Sequence, residues 1–329
     1  KPSVGRDIAR VLNCNKDKNG YIEGSKYIVT WALGHLVTLA DPESYGEKYK
    51  SWKMEDLPIL PPKLKTVVIK KTSKQFNTVK AQLNREDVGE IVIATDAGRE
   101  GELVARWIIE KAHVKKPIKR LWISSSTDKA IKEGFDKLKD GRQYNNLYHS
   151  AIARAEADWL VGINGTRLFT VLYGGKVLKV GRVQTPTLAM LVERESKIMN
   201  FKKEQYFMAH ILCGGVDAAT ERIDSKTEAE KVAGACLNGQ ALVTSVVKEE
   251  KTVAPPKLYD LTTLQRDANR LFGFTAKQTL EYTQSLYEKK LCSYPRTDSQ
   301  FLSDDMAITA ENVIKAIFDT MKFVPQVMF

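Results

Sequence analysis

The spacing of apolar residues divides the chain into stretches of different period. In ELVARWIIEKA, Leu103, Val104, Trp107 and Ile108 recur at helical spacing and share one face. Just before it, Ile91-Val92-Ile93-Ala94 is an unbroken apolar run, which predicts a strand buried on both faces. Residues 27–31, 66–69 and 119–123 read as further strands. A helix is expected over 128–138, after Ser124-Ser125-Ser126-Thr127, and another from about Ser3 and Asp7 through Ile8-Ala9-Arg10-Val11-Leu12. Strands alternating with helices over residues 1–150 predict an α/β layer with a largely parallel sheet.

The pattern then changes. Residues 147–172 and 187–198 read as helices, with Gly174-Gly175 between them. Residues 206–250 look β-like in YFMAHILC and ALVTSVV, around a helix at 226–237. GGVDAATERID makes a poor hairpin, and residues are expected to be missing there. From Leu261 to Glu288 the period is helical again, with Gly273 as a stop. Four domains follow: an α/β domain at 1–150, a helical one at 151–205, a β-containing segment at 206–256 and a helical one at 257–329. There is no internal repeat and no low-complexity tract.

Composition narrows the class. With 43% hydrophobic and 28% charged residues the chain reads as a packed globular protein, and its 329 residues alone would suit two or three domains. It has no run of ~18 apolar residues and no signal-peptide core at its start, so a membrane span is not expected. Cys14, Cys213, Cys236 and Cys292 lie far apart, which indicates neither zinc nor a disulfide framework and fits a reducing cytoplasm. Lys+Arg 51 against Asp+Glu 40 gives a net charge of +11, suited to a polyanion, with nucleic acid as the default partner. The five lysines from Lys63 to Lys74 are either a strip that tracks a nucleic-acid backbone or a solvated face. The chain opens on Lys1-Pro2-Ser3 without an initiator methionine and ends without a closing element, and is expected to be a fragment.

Three stretches carry chemistry. In IVIATDAGREGELVARW a buried strand ends at Asp96 and a helix begins near Glu100, so Asp96, Glu100 and Glu102 can converge at the carboxyl end of the strand, where ligands of open α/β sheets bind. Carboxylates there suit Mg²⁺, and equally are the ordinary acids of a helix first turn. In KLCSYPRTDSQFL, Tyr294 precedes Pro295 and Arg296. One reading is a turn, with Tyr294 extended by the proline and Asp298 or Ser299 capping a following helix. The other is a tyrosine nucleophile with an arginine fork for phosphate oxygens. Gly181-Arg182-Val183-Gln184-Thr185-Pro186 is a polar loop entering a helix, whose Arg182 and Gln184 suit DNA backbone or bases.

In combination and in this order, Lys1-Pro2-Ser3, Gly34-His35-Leu36, DAGREGE, EADWLVGIN, GRVQTPTL and YPRTDS resemble the type IA DNA topoisomerases, nearest to their bacterial topoisomerase III branch. The resemblance runs from Lys1 to about Ser303; the tail after about Met306 matches nothing in it. It implies a multidomain α/β-plus-α protein. A Toprim domain, Rossmann-like with a mostly parallel sheet, is followed by a helical DNA-binding domain, a β-containing arch segment and a helical domain with the nucleophile, as part of a toroid. It implies an isomerase in which Tyr294 forms a transient 5′-phosphotyrosine with single-stranded DNA, a second strand passes, and the break reseals. No ATP is needed, which agrees with the lack of a phosphate-binding G-x-x-x-x-G-K-[ST] loop. Arg296 would hold the scissile phosphate, Lys1 would stabilise charge near the leaving 3′-oxygen, and Asp96, Glu100 and Glu102 would bind Mg²⁺. Arg154, Asn164, Arg167, Arg182 and Gln184 would hold the DNA. His35 is either a packed core histidine or part of the site, and Trp159 and Tyr173 are candidates for base stacking. The protein would be monomeric, free of the membrane and bound to nucleoid DNA in a bacterial cytoplasm; a helicase partner is admitted but not identified.

The sequence departs from this family in three places. Gly98 replaces the second acid of the usual D-x-D, which leaves the number of Mg²⁺ ions open. The family's glutamate just before Lys-Pro-Ser falls ahead of residue 1, and its later histidine-bearing segment is not visible. Two other readings stand beside the topoisomerase. A Toprim nuclease or primase would use Asp96 and Glu100 but not Tyr294, and a non-catalytic fragment would bind single strands without cutting them.

Overall fold

The computed structural model describes residues 1–123, 127–240, 242–289, 291–297, 299–302 and 304–321. The chain forms two compact units, one from Lys1–Arg182 with Lys257–Phe329, the other from Val183–Pro256.

In the first unit, α1 (Pro2–Val11) buries Ile8, Ala9 and Val11 and leads into an antiparallel meander of β1 (Lys16–Lys18), β2 (Tyr21–Glu23) and β3 (Ile28–Thr30). β4 (Val37–Leu39) pairs antiparallel with β5 (Thr66–Val68) across a long irregular connection, and α2 (Ser73–Leu83) follows. Then come β6 (Ile91–Ile93), α3 (Arg99–Lys111), β7 (Ile118–Arg120), α4 (Asp128–Asp136), β8 (Lys139–Asp140) and the 29-residue α5 (Asn145–Tyr173).

Among the described residues the sheet expected to be largely parallel has one parallel pair, β6 with β7; β8 closes the edge antiparallel, and every other described strand pair is antiparallel. An antiparallel edge on a short parallel core is a common arrangement in α/β layers. The helical period of α3 places Leu103, Trp107 and Ile108 against Leu36, Val37, Phe76, Val79, Tyr148 and Ala151, which makes α3 the middle of the main core. His35 is exposed while its neighbour Leu36 is fully buried, so the core-histidine reading fails.

The second unit holds α6 (Gln184–Met199), a hairpin of β9 (His210–Cys213) and β10 (Val216–Ala219), and α7 (Lys226–Cys236). The hairpin corrects the sequence reading. Gly214 and Gly215 form its two-residue loop at φ +57 and +82, the left-handed geometry that matches strand twist and suits Gly-Gly. The flanking Val-Asp-Ala-Ala has no clean alternation, which is why the pattern was weak. ALVTSVV was expected to be a strand, but its described residues 242–247 are irregular and exposed; Ala241 lies outside the described residues.

Back in the first unit, α8 (Leu261–Phe272) stops at Gly273 as expected, and α9 (Ala276–Glu288) starts on a capping box of Thr275 and Gln278. α10 (Ala307–Met321) closes the described chain. Ser124-Ser125-Ser126, expected before α4, and Asp298, expected as a cap, lie outside the described residues. Ser299 starts no helix: its Oγ accepts the Phe301 amide at 3.2 Å within a turn. Among the described residues no helix is long and apolar enough to cross a membrane.

Candidate active site

The end of β6 is built by close backbone packing. The Thr95 hydroxyl donates to the Gly101 carbonyl at 2.7 Å, and the Gly98 amide to the Asp96 carbonyl at 2.9 Å. A Cβ on Gly101 would sit 2.1 Å from the Asp96 carbonyl oxygen, so only glycine lets the first turn of α3 approach this closely. This contact leaves the Asp96 side chain 70% exposed at the mouth of the strand.

Two distant parts of the chain meet there. The Lys1 Nζ, at the start of α1, lies 4.0 Å from Asp96 Oδ2 and 3.4 Å from the centroid of the Tyr294 ring. Tyr294 packs edge-on against Tyr287 of α9, with ring centroids 5.7 Å apart and planes at 69°. Burial pushes the Tyr287 phenol above its ordinary pKa, the nearby Tyr294 pushes the same way, and a hydrogen bond with Ser3 opposes them. The tyrosine segment is moored to α8: the Leu261 amide donates to the Thr297 carbonyl at 3.3 Å, and Gln300 Nε2 to Asp260 Oδ2 at 3.1 Å. Arg296 is exposed and donates to Gln284 Oε1 at 3.3 Å.

The three acids do not converge. Glu100 accepts from Arg154 at 2.8 Å on the surface. Glu102 is fully buried and clamped between Arg120, at 3.0 Å, and Arg106, at 2.9 Å. Burial pulls the Arg120 guanidinium below its ordinary pKa, and the Glu102 carboxylate opposes the shift. Among the described residues no group of three or more His, Cys, Asp or Glu side chains is placed to hold a metal. Asp96 and Glu100 are exposed, the first beside Lys1 and the second accepting from Arg154, and exposed carboxylates of this kind suit a hydrated hard cation, because such ions keep several waters.

The residues expected to hold DNA separate into three situations. Arg154 and Arg182 line one surface network: Arg182 donates to both oxygens of Asp158, at 2.7 and 3.2 Å, and holds that carboxyl below the usual range, while Arg154 lies 3.9 Å from the same residue. Asn164 and Arg167 are engaged within the protein. Asn164 exchanges hydrogen bonds with the Ile59 backbone at 2.6 and 3.1 Å, and the buried Arg167 donates to the Tyr49 carbonyl at 2.8 Å. Gln184 is exposed at the start of α6, in the other unit. Trp159 donates to the Ala40 carbonyl at 2.9 Å, whereas Tyr173 is exposed and stacked on Phe169. The five lysines from Lys63 to Lys74 are all exposed.

Sequence reasoning missed Arg120, Tyr287 and Asp158. Arg120 had one signal, a charged Lys119-Arg120 pair opening the otherwise apolar strand at 119–123. Asp158, within EADWLVGIN, had a weak one, its i,i+4 spacing to Arg154, and Tyr287 had none, because a tyrosine on a helical period reads as an ordinary packing residue.

Comparison with known proteins shows the family. The pattern of the Toprim domain matches residues 1–126, and that of the DNA topoisomerase family matches 142–327, which takes in most of the tail that the sequence left unplaced. The chain belongs to the DNA topoisomerase family, in its type IA class. It is 59% identical over 325 residues to DNA topoisomerase 3 of Bacillus subtilis, covering 96% of this chain and 45% of that protein. It is 58% identical over 327 residues to DNA topoisomerase 3 of Bacillus licheniformis, with the same coverage. Full-length topoisomerase I from Thermotoga maritima superposes with a TM-score of 0.60 at 25% identity, covering 97% of this chain and 52% of that one. The chain thus spans about half the length of the curated relatives it matches.

Proposed function

We propose that the protein changes DNA topology by the type IA reaction, with Tyr294 as its nucleophile. The Tyr294 phenol gives up its proton and bonds to a phosphorus of single-stranded DNA. The bond to the 3′-oxygen breaks, and that oxygen takes up a proton. A second strand passes through the gap. The 3′-hydroxyl then attacks the phosphotyrosine, restores the phosphodiester and frees the tyrosine, so bond energy is conserved and no ATP is used. Lys1 supplies positive charge beside the phenol and the scissile phosphate. Arg296, on the turn after Tyr294, has the reach and donor geometry to take a phosphate oxygen once DNA enters. Mg²⁺, held by Asp96 and Glu100, would supply further positive charge beside the DNA backbone. Relaxation of negative supercoils and decatenation of DNA inside the cell follow from such a cycle.

The observation that carries this reading is the meeting of Lys1, Asp96 and Tyr294 from three distant parts of the chain. The test incubates the protein with 3′-end-labelled single-stranded oligonucleotide and then denatures it. A labelled protein adduct, absent from Tyr294→Phe, is the expected result. A folded protein that binds the oligonucleotide but forms no adduct sinks the reading and leaves a Toprim nuclease or a binding module.

A further inference from the structure

Arg120 is fully buried, and apart from one bond to its neighbour, the Leu121 carbonyl at 2.7 Å, its guanidinium is spent on the end of β6 and on Glu102. It donates to the carbonyls of Ile93 at 3.1 Å, Thr95 at 2.9 Å and Asp96 at 2.7 Å, and its charge is met by Glu102 at 3.0 Å. These three acceptors span the end of β6 and the residue that presents its carboxylate to Lys1. Arg106 shares the same Glu102 but reaches the Gly141 carbonyl at 2.7 Å and not the β6 end.

We propose that Arg120 is a positioning residue for the Asp96 carboxylate, and that Glu102 serves as its buried counter-charge rather than as a metal ligand. A planar fork fixed by a carboxylate holds several carbonyls in one arrangement, which a flexible ammonium cannot do. The carbonyl of Asp96 is fixed by Arg120 and by the close approach of Gly101, so the direction in which its side chain leaves the backbone is fixed too. The carboxylate then stands ready for a divalent cation before DNA arrives. A Glu102 enclosed by two guanidinium groups has no oxygen open to such an ion.

This inference rests on the reading of Asp96 as a metal ligand, and the test separates the two. Mn²⁺ is titrated into the full protein without DNA, and binding is followed by its electron-spin resonance signal in wild type, Asp96→Asn, Arg120→Lys and Arg106→Gln. Asp96→Asn and Arg120→Lys are expected to weaken binding about tenfold or more, and Arg106→Gln to stay within about twofold. Arg120→Lys that binds like wild type overturns the proposal, as does Arg106→Gln that weakens binding as much as Arg120→Lys, because the effect would then be general loosening. Asp96→Asn without effect removes the metal reading, and the positioning role falls with it. Thermal melts accompany each variant; if Arg120→Lys loses its cooperative transition, Arg120→Gln takes its place with the same expectation.

Discussion

The Lys1 ammonium sits 3.4 Å above the centre of the Tyr294 ring, and the same nitrogen lies 4.0 Å from Asp96. One cation thus bridges the end of a Toprim strand and the tyrosine of a helix-borne segment. A cation over an aromatic face contributes about 0.5–1 kcal/mol when partly exposed, too little to hold the fold but enough to bias the side chain. Replacing Lys1 by methionine is expected to leave the melting temperature unchanged and to slow adduct formation about 10²-fold, the usual scale for loss of one charge-stabilising group. Single-turnover cleavage of a labelled oligonucleotide measures this; an unchanged rate removes Lys1 from the chemistry.

Two acids of one motif are expected to behave in opposite ways. Glu102→Ala leaves Arg120 buried without its counter-charge and should cost about 3–5 kcal/mol of folding stability. Glu100→Ala removes an exposed pair with Arg154 and should cost less than about 1 kcal/mol. Urea denaturation of both variants decides it, and equal losses would contradict the burial difference.

The glycines of the same motif should also diverge. Gly101→Ala places a methyl 2.1 Å from the Asp96 carbonyl oxygen, and neither backbone can give way cheaply. A loss of about 1–3 kcal/mol is expected from overpacking, with metal binding lost in parallel. Gly98→Ala meets nothing within 4 Å and should melt within a few degrees of wild type. A stable Gly101→Ala would show that the helix can withdraw from the strand end.

Acid should act on Asp140. Its carboxylate accepts from the Arg142 side chain and backbone, which lowers its pKa to about 2. A folded-state pKa below the unfolded value means that this contribution is present above about pH 4 and is lost as the pH falls toward 2. Asp140→Asn should therefore melt below wild type at pH 7, and the gap should close as the pH is lowered toward 2. A gap that stays constant with pH would remove the ionic part of the interaction.

The helices were the most legible part of the sequence. The period of α3 named its core face, and Gly273 marked the end of α8. Local signals failed where partners are distant. Glu102 looks like any first-turn acid until Arg120, 18 residues on, closes over it, although the i,i+4 spacing to Arg106 could have hinted at an ion pair. Asn164 and Arg167 look free to hold DNA, yet their partners lie more than 100 residues earlier. The chemistry of Tyr294 was legible only through the combination of motifs, because a Tyr-Pro-Arg turn alone is compatible with a capped loop.

The Gly98 backbone lies at φ −177, an ordinary extended geometry, and open space surrounds the place of its missing side chain. Nothing in the scaffold therefore demands glycine there. An ancestor with a third carboxylate and a descendant without it can share the same architecture, and one substitution separates them. The number of acids at this strand end is in that sense a tunable trait, free to drift or be re-engineered while Gly101, three residues on, stays locked by its neighbour's backbone.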